Sequence, residues 1–303
     1  MSHDWTKDQK STVERFSELM ERRDWSQPDA AKRLGVSPAT LSQMLNHSYE
    51  GRVDAICDTM QRVMRHAELR AHAPSDPPYA TTSVSEQVVE VLGLAHAERR
   101  LACILGPTGV GKTKAVERYR DHEPDTIYVV SGPSCSPYSL TRQLAADLNI
   151  DCANSTYDRR IAIAEALADS DRLLVIDEID YPNEKTLQCL RLIYDQADVG
   201  MVLIGTASFL EKIRRRKSST AQQFLGRVAY ARRVHACSDD DLARIAEPYD
   251  LDDDALDALT AGACGQARRA CNALIAAQRM ADGDLSAKAI RRAYETLMPV
   301  EVE

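Results

Sequence analysis

Apolar positions change their spacing twice along the chain. In the first 73 residues they recur at helical intervals: Val13, Phe16, Leu19 and Met20 mark one face of a helix over 12–23, and similar spacing predicts helices over 28–34 and 38–45. From about residue 83 the pattern becomes short apolar runs at 101–105, 126–130, 173–176, 201–204 and 228–234. Amphipathic stretches such as 113–119, 140–148 and 186–194 separate them. Apolar strands alternating with helices predict a parallel sheet covered on both faces, an α/β doubly wound domain. After residue 238 no strand-like run remains, and Ser238 followed by Asp239, Asp240 and Asp241 reads as a helix start.

These transitions predict an all-α domain over 1–73, a linker over 74–82, an α/β core over 83–237 and a helical lid over 238–303. Pro74, Pro77 and Pro78 cannot continue a helix and restrict the residues before them, which places the linker. With 44% hydrophobic and 28% charged residues, the chain can bury such cores. Its formal net charge of −8 argues against a uniformly basic nucleic-acid binder, yet leaves local basic patches free to meet phosphates. The eight cysteines include no C-x-x-C pair, so packed, reduced thiols are expected rather than a zinc site. The N-terminus lacks the apolar stretch of a signal peptide and no run reaches membrane-spanning length. The expected location is the cytoplasm, with no membrane partner.

The most specific chemistry follows the first strand. Gly106, Pro107, Thr108, Gly109, Val110, Gly111, Lys112 and Thr113 form a G-x-x-x-x-G-K-T loop entering a helix. Its glycines let backbone N–H groups wrap phosphate, Lys112 places a positive charge between β- and γ-phosphates, and Thr113 offers a hydroxyl to Mg²⁺. The helix N-terminus adds a further favourable term for an anion. A complementary acidic pair ends the apolar run at 173–176: Asp177 is suited to Mg²⁺, usually through water, and Glu178 to polarising the attacking water. ATP and Mg²⁺ are the cofactors these residues call for.

The N-terminal domain carries a second motif. Residues 27–46 place glycine at a turn and Ser37 as N-cap before Pro38, a helix-turn-helix pattern resembling that of repressors. Its second helix would present Ser37, Ala39, Thr40, Ser42, Gln43 and Asn46 to DNA, while Leu41, Met44 and Leu45 pack inward. Two basic clusters, Arg159-Arg160 and Arg214, Arg215, Arg216 and Lys217, are candidates for a second DNA surface on the core.

With Asp177-Glu178-Ile179-Asp180, the strand leading to Thr206, the stretch Gly132-Pro133-Ser134-Cys135 and Gly265-Gln266-Ala267-Arg268, the chain resembles the AAA+ ATPases. Within them it is similar to the Mu B family of phage transposition proteins, over nearly its whole length. The resemblance implies a P-loop AAA+ sheet sandwiched by helices, preceded by a helix-turn-helix domain and followed by a lid. Thr206 would hold the sensor position, where the Mu proteins carry asparagine. Arg227 would act as a finger on a neighbouring subunit's γ-phosphate, making it catalytic together with Lys112 and Glu178, and Arg268 would sense nucleotide from the lid. The function implied is an ATPase that oligomerises or forms filaments on target DNA and delivers it to a transposase. Two alternatives stay open on the sequence: a nucleotide-sensing, sequence-specific repressor, and an ATPase that remodels protein.

Overall fold

The computed structural model describes residues 5–71, 76–151, 155–168, 170–180, 183–209, 211, 219–281 and 283–297. Arg214, Arg215, Arg216 and Lys217 lie outside the described residues. The chain divides into two compact units, Met1–Ser75 and Asp76–Glu303.

The first unit is helical: α1 (Lys7–Arg22), α2 (Gln27–Leu34), α3 (Pro38–Leu45) and α4 (Val53–Ala71). Helix α1 begins five residues before apolar spacing alone would start it. Thr6 accepts from the Gln9 amide while the Gln9 side chain returns to the Thr6 amide, a reciprocal cap that recruits a polar first turn. Helices α2 and α3 are joined by a turn in which Gly35 takes φ +69°, a left-handed conformation that costs glycine least. Ser37 then caps α3, accepting from the Thr40 amide at 3.0 Å. Phe16, Leu41, Met44 and Met60 fill the centre.

The second unit is built on a five-stranded parallel sheet of β1 (Leu101–Leu105), β2 (Thr126–Val130), β3 (Leu173–Asp177), β4 (Gly200–Gly205) and β5 (Val228–Arg233), in spatial order β2-β3-β4-β1-β5. Strands β1, β3 and β4 are buried at every position, which is why they read as unbroken apolar runs. Alternation sorts their side chains into two cores. Ala102, Ile104, Val175, Val202 and Ile204 face α5 (Ser83–Ala97) and α6 (Lys112–His122). Leu101, Cys103, Ile176, Met201 and Leu203 face α7 (Pro137–Asp147), α8 (Thr156–Leu167) and α9 (Glu184–Ala197), with α10 (Ser219–Leu225) beyond. The C-terminal helices α11 (Asp239–Ala246), α12 (Asp253–Ala263), α13 (Ala267–Met280) and α14 (Ala287–Leu297) share the first of these cores, so they belong to the same compact unit as the sheet. Residues 76–82 join this unit as well: Arg244 donates to the Thr81 carbonyl, and Thr82 caps α5.

Asp241 ties the start of α5 to the start of α11. Its carboxylate accepts from the Ser83 amide at 2.6 Å, the Ser83 hydroxyl at 2.7 Å and the Ser238 amide at 3.1 Å, with the residue only 2% exposed. Burial by itself raises the Asp241 pKa, but donation from Ser83 and Ser238 outweighs it and leaves the carboxyl below its ordinary 3.8. The stabilisation is complete above the unfolded value and is lost as pH falls through the lower folded one. Asp241→Asn, which sets an N–H against these donors, is expected to destabilise the unit by about 2 kcal/mol in urea unfolding at neutral pH. It should also remove this acid-dependent component.

Candidate functional site

The loop between β1 and α6 is shaped by close approach. A Cβ on Gly106 would lie 2.6 Å from the Val234 carbonyl oxygen, so no side chain fits. Gly109 and Gly111 take φ +78° and +102°, the left-handed region in which glycine carries no penalty. Gly111 is the N-cap of α6 and supplies no side-chain cap, leaving the first N–H groups of the helix without one. Lys112 is 9% exposed, and its Nζ donates to the Gly106 and Pro107 carbonyls at 3.0 and 2.6 Å. Burial lowers its pKa; Asp177 and Asp180 oppose that shift, and Arg268 adds to it.

The end of β3 meets this loop. Thr113 Oγ1 donates to Asp177 Oδ2 at 2.8 Å, Tyr128 OH donates to the same oxygen at 2.9 Å, and the Glu178 amide donates to Oδ1 at 2.7 Å. Asp177 is 5% exposed and Glu178 is exposed. Glu178 sits at φ +56°, an uncommon conformation for a residue with a Cβ. Ser131, fully buried just past β2, places its hydroxyl 2.9 Å from the Asp177 carbonyl and 3.0 Å from that of Glu178, supporting this turn. An alkaline shift of the Tyr128 phenol follows from burial first and from Asp177 second.

Strand β4 ends between the two. The Thr206 amide and hydroxyl donate to Asp180 at 2.7 and 2.6 Å, and Ser208 adds a longer contact at 3.3 Å. A Cβ on Gly205 would come within 2.9 Å of Asp180 Oδ2, so the glycine admits this carboxylate. The C-terminal helices reach the loop from the other side. The Arg268 amide donates to the Gly109 carbonyl at 2.9 Å, Gln266 Oε1 lies 3.1 Å from where a Gly109 Cβ would be, and Cys237 Sγ approaches the Val110 carbonyl at 3.6 Å. The exposed Arg268 is close enough in charge to depress Lys112.

Gly106 through Thr113, Asp177, Glu178, Thr206 and Arg268 thus gather around the carboxyl ends of β1, β3 and β4. Arg227 does not join them within the protomer: its guanidinium pairs with both oxygens of Asp195 on α9 and donates to the Gln223 carbonyl at 2.6 Å. Arg159 requires a correction as a DNA contact. It is 5% exposed, bonded to Thr141 Oγ1 and stacked 4.7 Å over the Tyr138 ring, because it falls on the inward face of α8. Arg160 is half-buried, bonded to Gln196 and stacked over Tyr157. In the first unit Ser37, Ala39, Gln43 and Asn46 are exposed, whereas Thr40 and Ser42 are half-buried.

Tyr128, Ser131, Asp180 and Gln266 are contributors that sequence reading left without a role. For Tyr128 the signal lies in strand register. Val130 pairs with Asp177 and Tyr128 with Val175, so Tyr128 and Asp177 project from the same sheet face, the one α6 covers.

Residues 95–213 match the AAA domain family. The chain is 27% identical over 239 residues to the Mu-like prophage FluMu DNA transposition protein B of Haemophilus influenzae, covering 76% of this chain and 82% of that protein. It is also 27% identical over 189 residues to the ATP-dependent target DNA activator B of Escherichia phage Mu, a match of 62% of this chain and 61% of the activator. The activator of Escherichia phage D108 gives the same figures. Among solved structures, the Aeropyrum pernix ORC2 protein superposes with a TM-score of 0.54 at 16% identity, over 73% of this chain and 70% of that one, a likeness of fold. Among the described residues no helix is long and apolar enough to cross a membrane. The fold is a five-stranded parallel sheet with flanking helices that contains a match to the AAA domain over residues 95–213, and the chain resembles the transposition B proteins of Mu-like phages.

Proposed function

We propose that the chain binds ATP with Mg²⁺ in the loop at 106–113, assembles on DNA in that state, delivers the DNA to a transposase, and disassembles on hydrolysis. The observation that carries the reading is the 2.8 Å bond joining Thr113 to Asp177, which brings the phosphate loop and the acidic strand end into one oxygen-only donor pair. Such a pair suits a hard cation like Mg²⁺, and the helix start uncapped by a side chain suits the phosphates. Bound there, the metal would neutralise charge on the β- and γ-phosphates.

In this reading Lys112 leaves the carbonyls of Gly106 and Pro107 for the phosphates. Glu178 takes a proton from water as the water oxygen bonds to the γ-phosphorus and the bond to the bridging oxygen breaks. Asp180 orients Thr206, whose oxygen can accept a hydrogen bond from that water. Arg268 reports the nucleotide to the C-terminal helices, and Arg227 exchanges Asp195 for a neighbour's γ-phosphate. The exposed face of α3 with Ala39, Gln43 and Asn46 is a DNA contact, as are Arg160 and the basic run from Arg214 to Lys217. The names of the matched phage activators support the roles in target DNA and transposition. Cytoplasmic action belongs to the same proposal.

Lys112→Ala should abolish ATP-dependent assembly on random-sequence DNA seen by electron microscopy, whereas Glu178→Gln should bind ATP and remain assembled. Identical behaviour of the two variants contradicts the assigned roles. Arg227→Ala should lower ATPase turnover about a thousandfold. Mixing it with Glu178→Gln, each inactive alone, should restore part of the activity, since Glu178→Gln subunits still lend their arginine. Absence of any recovery rules out action in trans.

A further inference from the structure

We infer that Tyr128 is a positioning residue for the metal grip, its hydroxyl locking the Asp177 carboxylate in the orientation from which it and Thr113 take up Mg²⁺. The inference rests on the ATP·Mg²⁺ reading above. Asp177 is held at both oxygens: Oδ1 by the Glu178 amide at 2.7 Å, and Oδ2 by Thr113 and Tyr128 at 2.8 and 2.9 Å. These donors are not equivalent. Thr113 belongs to the nucleotide loop and must turn a lone pair to the cation, so its grip on Asp177 changes with occupancy. The Glu178 amide is part of the turn that carries the proposed base. Tyr128 comes from β2, whose pairing with β3 is independent of nucleotide, and it provides the side-chain donor that stays fixed throughout. Its ring is anchored as well, packed against the sheet-face core with the Arg120 guanidinium 5.6 Å over it.

A carboxylate pinned on both oxygens cannot swing away from the metal position, so Mg²⁺ meets a preformed ligand and not one it must order. Hydrogen bonds to ligating groups of this kind typically govern metal affinity by about 10- to 100-fold. Because the phenyl ring carries the packing, Tyr128→Phe removes the hydroxyl alone.

The test titrates Mg²⁺ against a fluorescent ATP analogue bound to the full-length protein, with the analogue's affinity in EDTA measured in parallel. Tyr128→Phe is expected to raise the Mg²⁺ concentration for half-maximal binding about tenfold while leaving the metal-free affinity unchanged. An unchanged Mg²⁺ requirement, or an equal loss of affinity with and without metal, overturns the inference. If the wild-type protein fails to bind the analogue under any Mg²⁺ concentration, the ATP reading falls and takes the inference with it.

Discussion

A carboxylate buried at the end of an interior strand costs several kcal/mol of lost hydration unless donors surround it. Asp177 is such a group, and its three donors come from three separate segments: the start of α6, the middle of β2 and the turn after β3. The register that sets Val130 opposite Asp177 also brings Tyr128 to the right face, and the α6 start must sit over that face for Thr113 to reach. Sheet pairing and helix placement are therefore coupled through one side chain. Because β4 lies between β1 and β3, its end fills the gap between loop and acid, and there Asp180 holds Thr206 by both amide and hydroxyl.

The C-terminal helices extend this coupling. Their contact with the loop passes through backbone, Arg268 N–H to Gly109 C=O, at a residue whose left-handed conformation is available because it is glycine. Gln266 fills the space a Gly109 side chain would occupy. A shift in the loop backbone is thus felt at the N-terminus of α13, while Asp241 anchors the start of α11 to the start of α5. The C-terminal helices are therefore tied to the rest of the unit at two points, the 106–113 loop and the start of α5.

Much of this was legible in the sequence, and for definable reasons. Strands β1, β3 and β4, buried on both faces, announce themselves as apolar runs, while β2 and β5 show through β-branched and aromatic residues; bounds differ by a residue or so where Gly200, Gly205 and Asp177 extend pairing beyond the apolar stretch. The loop from Gly106 to Thr113 is contiguous, so its motif survives in one dimension. Tyr128, Ser131 and Gln266 did not stand out, because each acts on a residue distant in sequence and nothing in its own neighbourhood marks it. Helix α1 was read five residues short because its first turn is held by a polar cap and not by apolar spacing. Arg159 misled for the converse reason: two adjacent arginines look like a surface, yet neighbouring positions on a helix point about 100° apart, and α8 turns one of them inward.

That arginine chemistry bears on assembly. Arg227 in the protomer is held by Asp195 and a helix-end carbonyl, with about a third of its side chain exposed. An ion pair so open to water contributes at most about 1 kcal/mol, since solvent screens it and ordering two side chains costs entropy. Exchange of Asp195 for a phosphate bearing more charge is correspondingly inexpensive, and the guanidinium fork fits either acceptor in the same planar geometry. The contact with Asp195 therefore keeps Arg227 ordered without trapping it. A guanidinium held this way, outside the cluster around the 106–113 loop, is available to an acceptor beyond its own protomer, which is what the proposed role in trans requires.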